Sequence, residues 1–233
     1  RFKKIAKGSV MSEIYNMFIH GEKYTNPDGQ TKRVYNPSTG GVLGDLPLAE
    51  SGDLDDAIKS SKEGFDSWRK KTSAQRKSIM ENCASVIDER AEDIARSITL
   101  EQGKPIEESR GEVEFSTEIF RWFGAEGQRA YGRIIPGHAP TQRQIVTREP
   151  LGLVTSMTPW NFPLATPAAK LSAALGAGCA TIIKAAETTP GAAIHLVQAL
   201  HDAGVPRGTV NLVFGEPDQV SRHLLSSKDI KGL

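Results

Sequence analysis

The spacing of hydrophobic residues along the chain changes twice, and each change marks a different kind of element. Over residues 17–49 apolar and polar residues alternate in short runs, M-F-I-H-G-E-K-Y, T-K-R-V-Y and V-L-G-D-L-P-L-A, separated by N-P-D-G and N-P-S-T-G-G. Period-two runs bounded by such clusters predict strands and tight turns. Asp28 and Gly29 predict a hairpin turn between the first two runs, because glycine accepts the positive φ such turns need. From residue 53 the spacing lengthens to three and four. Leu54, Ala57, Ile58, Phe65 and Trp68 then mark one face of a helix over 53–69. Thr72 and Gln75 read as a capping box opening a second helix, with Ile79, Cys83, Val86 and Ile87 inward. A third helix, over 91–102, stops at Gly103 with Pro105 beyond it. A fourth, from 106 to about 130, carries Val113, Thr117, Phe120 and Gly124 on one stripe.

The last third alternates strand and helix. T-Q-R-Q-I-V-T-R-E-P predicts an exposed or edge strand from Gln142 to Arg148, closed by Pro150. Then come strand L-G-L-V-T-S-M, loop T-P-W-N-F-P, an alanine-rich helix over 164–175, strand A-T-I-I-K and loop A-A-E-T-T-P. A helix capped by Thr189, with Pro190 in its first turn, runs to Ala203, and strand V-N-L-V-F-G follows. That order predicts the opening of a parallel, doubly wound α/β sheet, which places ligands beyond the carboxyl ends of its strands. The strand over 210–214 is expected to be an unpaired edge.

Composition narrows the function. The 233 residues hold 29 Lys plus Arg against 28 Asp plus Glu, so a polybasic nucleic-acid arm is excluded as the chain's main business, as is an acidic tail. No stretch approaches the ~18 apolar residues of a membrane span. Cys83 and Cys179 are too few and too far apart for a disulfide framework or a cysteine-based metal site, and they point to a reducing, cytoplasmic setting. The basic opening, R-F-K-K-I-A-K-G-S-V, reads as a leader ahead of a start at Met11, within a leader segment 1–16.

Several residue patterns imitate sites. G-A-G-C-A-T at 176–181 lacks the third glycine of a dinucleotide fingerprint and precedes a strand instead of following one. Helix termination is its expected role. His195 and His201 have no metal-ligand spacing. Glu101, Glu107 and Glu108 read as helix ends and solvated faces, Cys179 as a small core residue, and Trp122 with Phe120 and Phe123 as core or interface packing.

Two loops after consecutive strands remain. In T-P-W-N-F-P, two prolines stiffen a turn that carries one amide, Asn161, able to donate to a developing oxyanion. In K-A-A-E, Lys184 and Glu187 sit three apart at a strand's end, a donor and an acceptor suited to the hydroxyls of a ribose. Each loop also reads as a rigid turn with a salt bridge. Their shared sheet edge favours a nucleotide site.

These loops, with N-P-S-T-G, E-Q-G-K-P over 101–105, R-A-Y-G, I-P-G-H and G-V-P-R-G-T-V-N-L-V over 204–213, make the chain resemble the N-terminal part of the aldehyde dehydrogenase superfamily, most closely its succinate-semialdehyde branch. The resemblance implies oxidation of an aldehyde to an acid with NAD, or NADP as the alternative. A semialdehyde such as succinate semialdehyde is one candidate substrate it implies, and a homo-oligomer the implied assembly. It implies that Asn161 steadies the oxygen of a thiohemiacetal and that Thr158, Pro159, Trp160 and Asn161 line the nicotinamide side. Lys184, Ala185, Ala186 and Glu187 would hold the adenosine ribose, with Gly215 near the adenine; no metal is implied. It divides the chain into a hairpin and helical part (17–139), an oligomerisation strand (140–150) and the first part of a dinucleotide-binding unit (151–233). It also places the nucleophilic cysteine and glutamate base beyond Leu233, so that the chain alone is expected to be inactive; the rival expectation is a non-catalytic binding module. Two departures stand out. Ala185 replaces the proline usual in K-P-A-E, and Ala169 stands where the semialdehyde branch often has a carboxylate-gripping arginine.

Overall fold

A computed structural model describes residues 15–26 and 29–233. Most of the expected leader, together with Pro27 and Asp28 of the expected hairpin turn, lies outside the described residues. The hairpin itself forms earlier. Strands β1 (Met17–Ile19) and β2 (Glu22–Tyr24) pair antiparallel across His20 and Gly21. Both turn residues have positive φ, +56° and +74°, as a two-residue turn of this hand requires. The unusual His20 backbone is fixed because its amide donates to Asn211 Oδ1 at 2.8 Å. Strand β3 (Thr31–Tyr35) pairs instead with β4 (Val42–Pro47) across the N-P-S-T-G-G turn. The runs on either side of Asp28–Gly29 therefore belong to different sheets, because each finds a nearer partner across its other turn.

Four helices follow: α1 (Ser51–Trp68), α2 (Ser73–Glu89), α3 (Ala91–Gln102) and α4 (Ile106–Glu126). The box at Thr72 is formed, with Gln75 N donating to Thr72 Oγ1 at 3.2 Å and Thr72 N to Gln75 Oε1 at 2.9 Å. Gly103 ends α3 in the left-handed region, φ +88°. The expected stripe of α4 is buried, but Trp122 is exposed and only Phe120 of its aromatic group is fully inside. Residue 122 lies on the opposite side of the helix from the stripe, so its side chain faces solvent.

Strand β7 (Leu153–Met157), α5 (Ala165–Gly176), β8 (Ala180–Lys184), α6 (Pro190–Asp202), β9 (Val210–Val213), α7 (Pro217–Ser226) and β10 (Ile230–Gly232) complete the main layer, and β5 (Arg133–Pro136) and β6 (Arg143–Val146) form a separate ribbon. The large sheet has the order β10-β7-β8-β9-β1-β2, with β7 to β10 parallel and β1 antiparallel to β9. The expected open edge at β9 is thus closed: Phe18 of β1 pairs with Leu212. Helix α1 lies directly against the turn before β9, where a Cβ on Gly64 would come within 2.2 Å of Thr209 N. Helix α7 and β10 were not legible in the sequence. Only Val220 and Leu224 of α7 are buried, and β10 has three residues. Gly176 and Gly178 do terminate α5, the latter at φ +86°. The β5–β6 ribbon leaves the paired Ile134 and Ile145 each 73 % exposed. Among the described residues, no helix is long and apolar enough to cross a membrane.

Candidate active site

Parallel strands end in loops on one side of the sheet, and here the loops after β7 and β8 meet. Thr158 N donates to Lys184 O at 3.1 Å, which ties the start of T-P-W-N-F-P to the end of β8. The loop's main chain is then held at each step. Trp160 O accepts from Thr189 Oγ1 at 3.5 Å, and Asn161 O accepts from Gln102 Nε2 and Lys104 Nζ, both at 3.3 Å. Leu164 N and Ala165 N, opening α5, donate to Glu112 Oε1 at 2.8 and 3.0 Å. With these backbone groups held by the protein, the loop turns its side chains outward: Trp160 is 57 % and Phe162 50 % exposed, and Asn161 is exposed between them. Exposed aromatics on a fixed backbone are what a ligand platform requires.

A cleft of about 750 Å³ lies beside this loop, walled by Thr158, Pro159, Trp160, Lys184, Ala186 and Glu187 and closed by Pro217, Asp218 and Ser221 of α7. Lys184 and Glu187 are buried at its floor, with Nζ 2.5 Å from Oε1. Gly215 N donates to the same oxygen at 3.2 Å. Both contacts fall on Oε1, which leaves Oε2 to accept further hydrogen bonds. Gly215 is bare for a packing reason, since a Cβ there would lie 2.7 Å from Val220 Cγ2 of α7. Ala185 is buried and lines nothing. Thr158 Oγ1 is buried and has no hydrogen-bond partner among the described residues.

On the other side of the loop runs an apolar groove of about 620 Å³. Phe115, Ile119, Phe162, Ala165 and Ala169 form its walls, with Lys104 and Lys170 among its polar atoms. Asn161 therefore stands between a cleft floored by an ion pair and an apolar groove.

Thr189 occupies the cap position of α6 but makes no capping bond; its hydroxyl turns to Trp160 instead. Gly191 N, in that first turn, donates to Glu101 Oε2 at 2.9 Å. Glu101 is accordingly no solvated helix end. It is 5 % exposed, accepts from Tyr15 Oη at 2.8 Å, and burial pushes its carboxyl up to about 7 against the pull of those hydrogen bonds. Cys83 and Cys179 are both buried, and burial pushes the Cys83 thiol up to about 12. Burial also lowers His195 and His201 below the ordinary histidine value. Among the described residues no group of three or more His, Cys, Asp or Glu could hold a metal ion.

The two loops singled out from the sequence do meet in the structure, but α7, the cleft's third wall, was not among the expected elements. Nor was a supporting role for the loop expected of E-Q-G-K-P and Glu112. Glu101, Gln102, Lys104 and Glu112 all act on backbone atoms distant in sequence, and only the odd density of charge beside Gly103 signals them.

Known proteins resemble this chain over most of its length. The profile of the aldehyde dehydrogenase family matches residues 24–233. A glutarate-semialdehyde dehydrogenase of Pseudomonas putida is 37% identical over 216 residues, 93% of this chain and 45% of the relative. An NADP-dependent succinate-semialdehyde dehydrogenase of Escherichia coli is 37% identical over 215 residues, 92% of this chain and 45% of the relative. The NAD+ complex of an aldehyde dehydrogenase from Bacillus cereus superposes with a TM-score of 0.90 at 31% identity, over 95% of this chain and 45% of that one. The chain thus spans about 45% of the length of these relatives and matches the N-terminal half of their fold.

Proposed function

The chain belongs to the aldehyde dehydrogenase family, and from that premise we propose that it forms the dinucleotide-binding part of an enzyme oxidising an aldehyde to the acid. The carrying observation is the fixed loop 158–163, which presents Asn161 between cleft and groove. The cleft fits a dinucleotide. Its volume lies within the range of ligand pockets, and its floor offers a carboxylate oxygen and an ammonium. Thr158, Pro159, Trp160, Ala186 and the Lys184–Glu187 pair would hold NAD, and the dinucleotide when bound supplies the hydride acceptor. Glu187 Oε2 accepts from the ribose hydroxyls, which favours NAD over NADP because a 2′-phosphate would meet the carboxylate. Gly215 and Ala185 shape the floor without touching the ligand.

The aldehyde enters along the apolar groove, and the Asn161 side chain donates to its oxygen as negative charge develops there. The groove carries Ala169 in place of a guanidinium, so semialdehydes are one candidate class beside uncharged aldehydes. Neither cysteine serves as nucleophile, since both are buried. These 233 residues by themselves should therefore bind but not turn over. The exposed isoleucines of the β5–β6 ribbon suit pairing with a second copy, and two buried thiols suit the cytoplasm.

The test is kinetic. In the natural product carrying this sequence, Asn161→Ala should lower kcat by about 10²- to 10³-fold. An unchanged kcat would remove Asn161 from the reaction. Aldehyde-dependent NAD reduction by the 233-residue chain itself, abolished by Cys179→Ala, would overturn the inactivity.

A further inference from the structure

The loop 158–163 carries the candidate chemistry, yet its two central residues, Asn161 and Phe162, belong to no helix or strand. Something outside the loop must set their orientation. Three contacts of one side chain converge there. Lys104 Nζ lies 2.5 Å from Glu112 Oε2, 3.3 Å from Asn161 O and 4.4 Å from the centre of the Phe162 ring. The ammonium has three donors, and a carboxylate, a carbonyl and an aromatic face use their directions. Lys104 and Glu112 are 9 % and 2 % exposed at their side chains, so water competes poorly for these bonds. Glu112 is itself fixed, because its other oxygen accepts from Leu164 N and Ala165 N. The second half of the loop and the start of α5 are therefore gripped by one ion pair: Lys104 holds 161 and 162, Glu112 holds 164 and 165.

We infer that Lys104, clamped by Glu112, is the positioning residue of this site, fixing the Asn161 backbone and the Phe162 ring so that the Asn161 amide faces a bound aldehyde. This rests on the proposed role of Asn161. Lys104 touches only protein atoms and transfers no proton; it acts through Asn161. A buried ion pair of no consequence for the loop would also stabilise the chain, so stability alone does not separate the two roles.

The separating measurement is backbone order in the 233-residue chain, read by ¹⁵N relaxation. In Lys104→Met/Glu112→Gln the glutamine oxygen still accepts from Leu164 N and Ala165 N, and no buried charge is left alone. The fold should persist while order parameters at 160–162 fall from about 0.85 to below about 0.6, with β7 to β9 unchanged. Loop values equal to the parent's in the folded variant would overturn the inference. Should that variant not fold, Phe162→Ala, at a half-exposed side chain, gives the reciprocal reading. The Lys104 ammonium resonance should shift as it loses the ring, and an unmoved resonance would overturn the clamp. Neither experiment contains aldehyde or dinucleotide. A loosened loop with a fully active Asn161→Ala variant would leave the clamp standing and remove the role of Asn161. A rigid loop with an inactive Asn161→Ala variant would do the reverse.

Discussion

Two lysine–glutamate pairs stand on opposite sides of the loop 158–163, and by distance and burial they are twins. Lys104–Glu112 and Lys184–Glu187 each close at 2.5 Å, with all four side chains under 10 % exposed. They differ in what remains unbonded. Glu112 is spent: one oxygen takes Lys104 and the other takes two amides of α5. Glu187 places both of its contacts on one oxygen, and the second is left beside the cleft. Buried ion pairs contribute little net stability because desolvation cancels much of the attraction. The spare hydrogen-bonding capacity is what distinguishes a structural pair from a binding one.

Removing a partner should separate the twins most sharply. Glu112→Ala leaves a buried ammonium unpaired and two helix-opening amides unsatisfied, and should cost about 3–5 kcal/mol. Glu187→Ala exposes Lys184 to an open cleft and should cost about half that, by denaturant melting of both variants. Equal losses would dissolve the distinction.

Glu101 offers a third buried carboxylate, with no lysine beside it among the described residues. Its folded-state value of about 7 lies above the ordinary 4.5, so the folded chain holds its proton more tightly than the unfolded chain does. That contribution is fully present below about pH 4.5 and disappears as pH rises to about 7. Roughly 3 kcal/mol is at stake. Glu101→Gln should therefore flatten the fall in stability across this window relative to the parent. Parallel pH profiles would show that Glu101 ionises normally.

The free oxygen of Glu187 should also set cofactor choice. Like charges at about 4 Å cost about 1 kcal/mol in water and about 4 at an effective dielectric near 20. With Lys184 offsetting part, a roughly ten- to hundredfold preference for NAD follows. Glu187→Ser should reduce it in the ratio of kcat/KM, and an unchanged ratio would clear Glu187 of the role. The smallest effect concerns Thr158, whose hydroxyl has no partner. Thr158→Val should leave melting within about 1 kcal/mol of the parent. A large loss of stability would show the hydroxyl to be engaged by the fold.

The twins also show what a sequence discloses. Lys184 and Glu187 are three apart at the end of an apolar strand, so local spacing reveals their pairing. Lys104 and Glu112 are eight apart across a helix break, and their business is with residue 161 and the start of α5. No periodicity encodes that. The helices over α1 to α4 were legible because long amphipathic stripes and caps such as Thr72–Gln75 are local. The pairing of β1 with β9 joins Phe18 to Leu212, and α7 buries two residues only, so neither left a readable pattern. Glu101 looked like a solvated helix end because its partners, Tyr15 and Gly191, come from distant segments.

The central claim is that the cleft between the loops after β7 and β8 receives a dinucleotide. Titrating the isotope-labelled chain with NAD, and following its backbone and indole resonances, tests this without any need for turnover. The account predicts saturable shifts at Thr158, Trp160, Lys184, Glu187 and Ser221, with the groove residues Phe115 and Ile119 unmoved. Saturable shifts confined to that groove, or none at millimolar NAD, would contradict it.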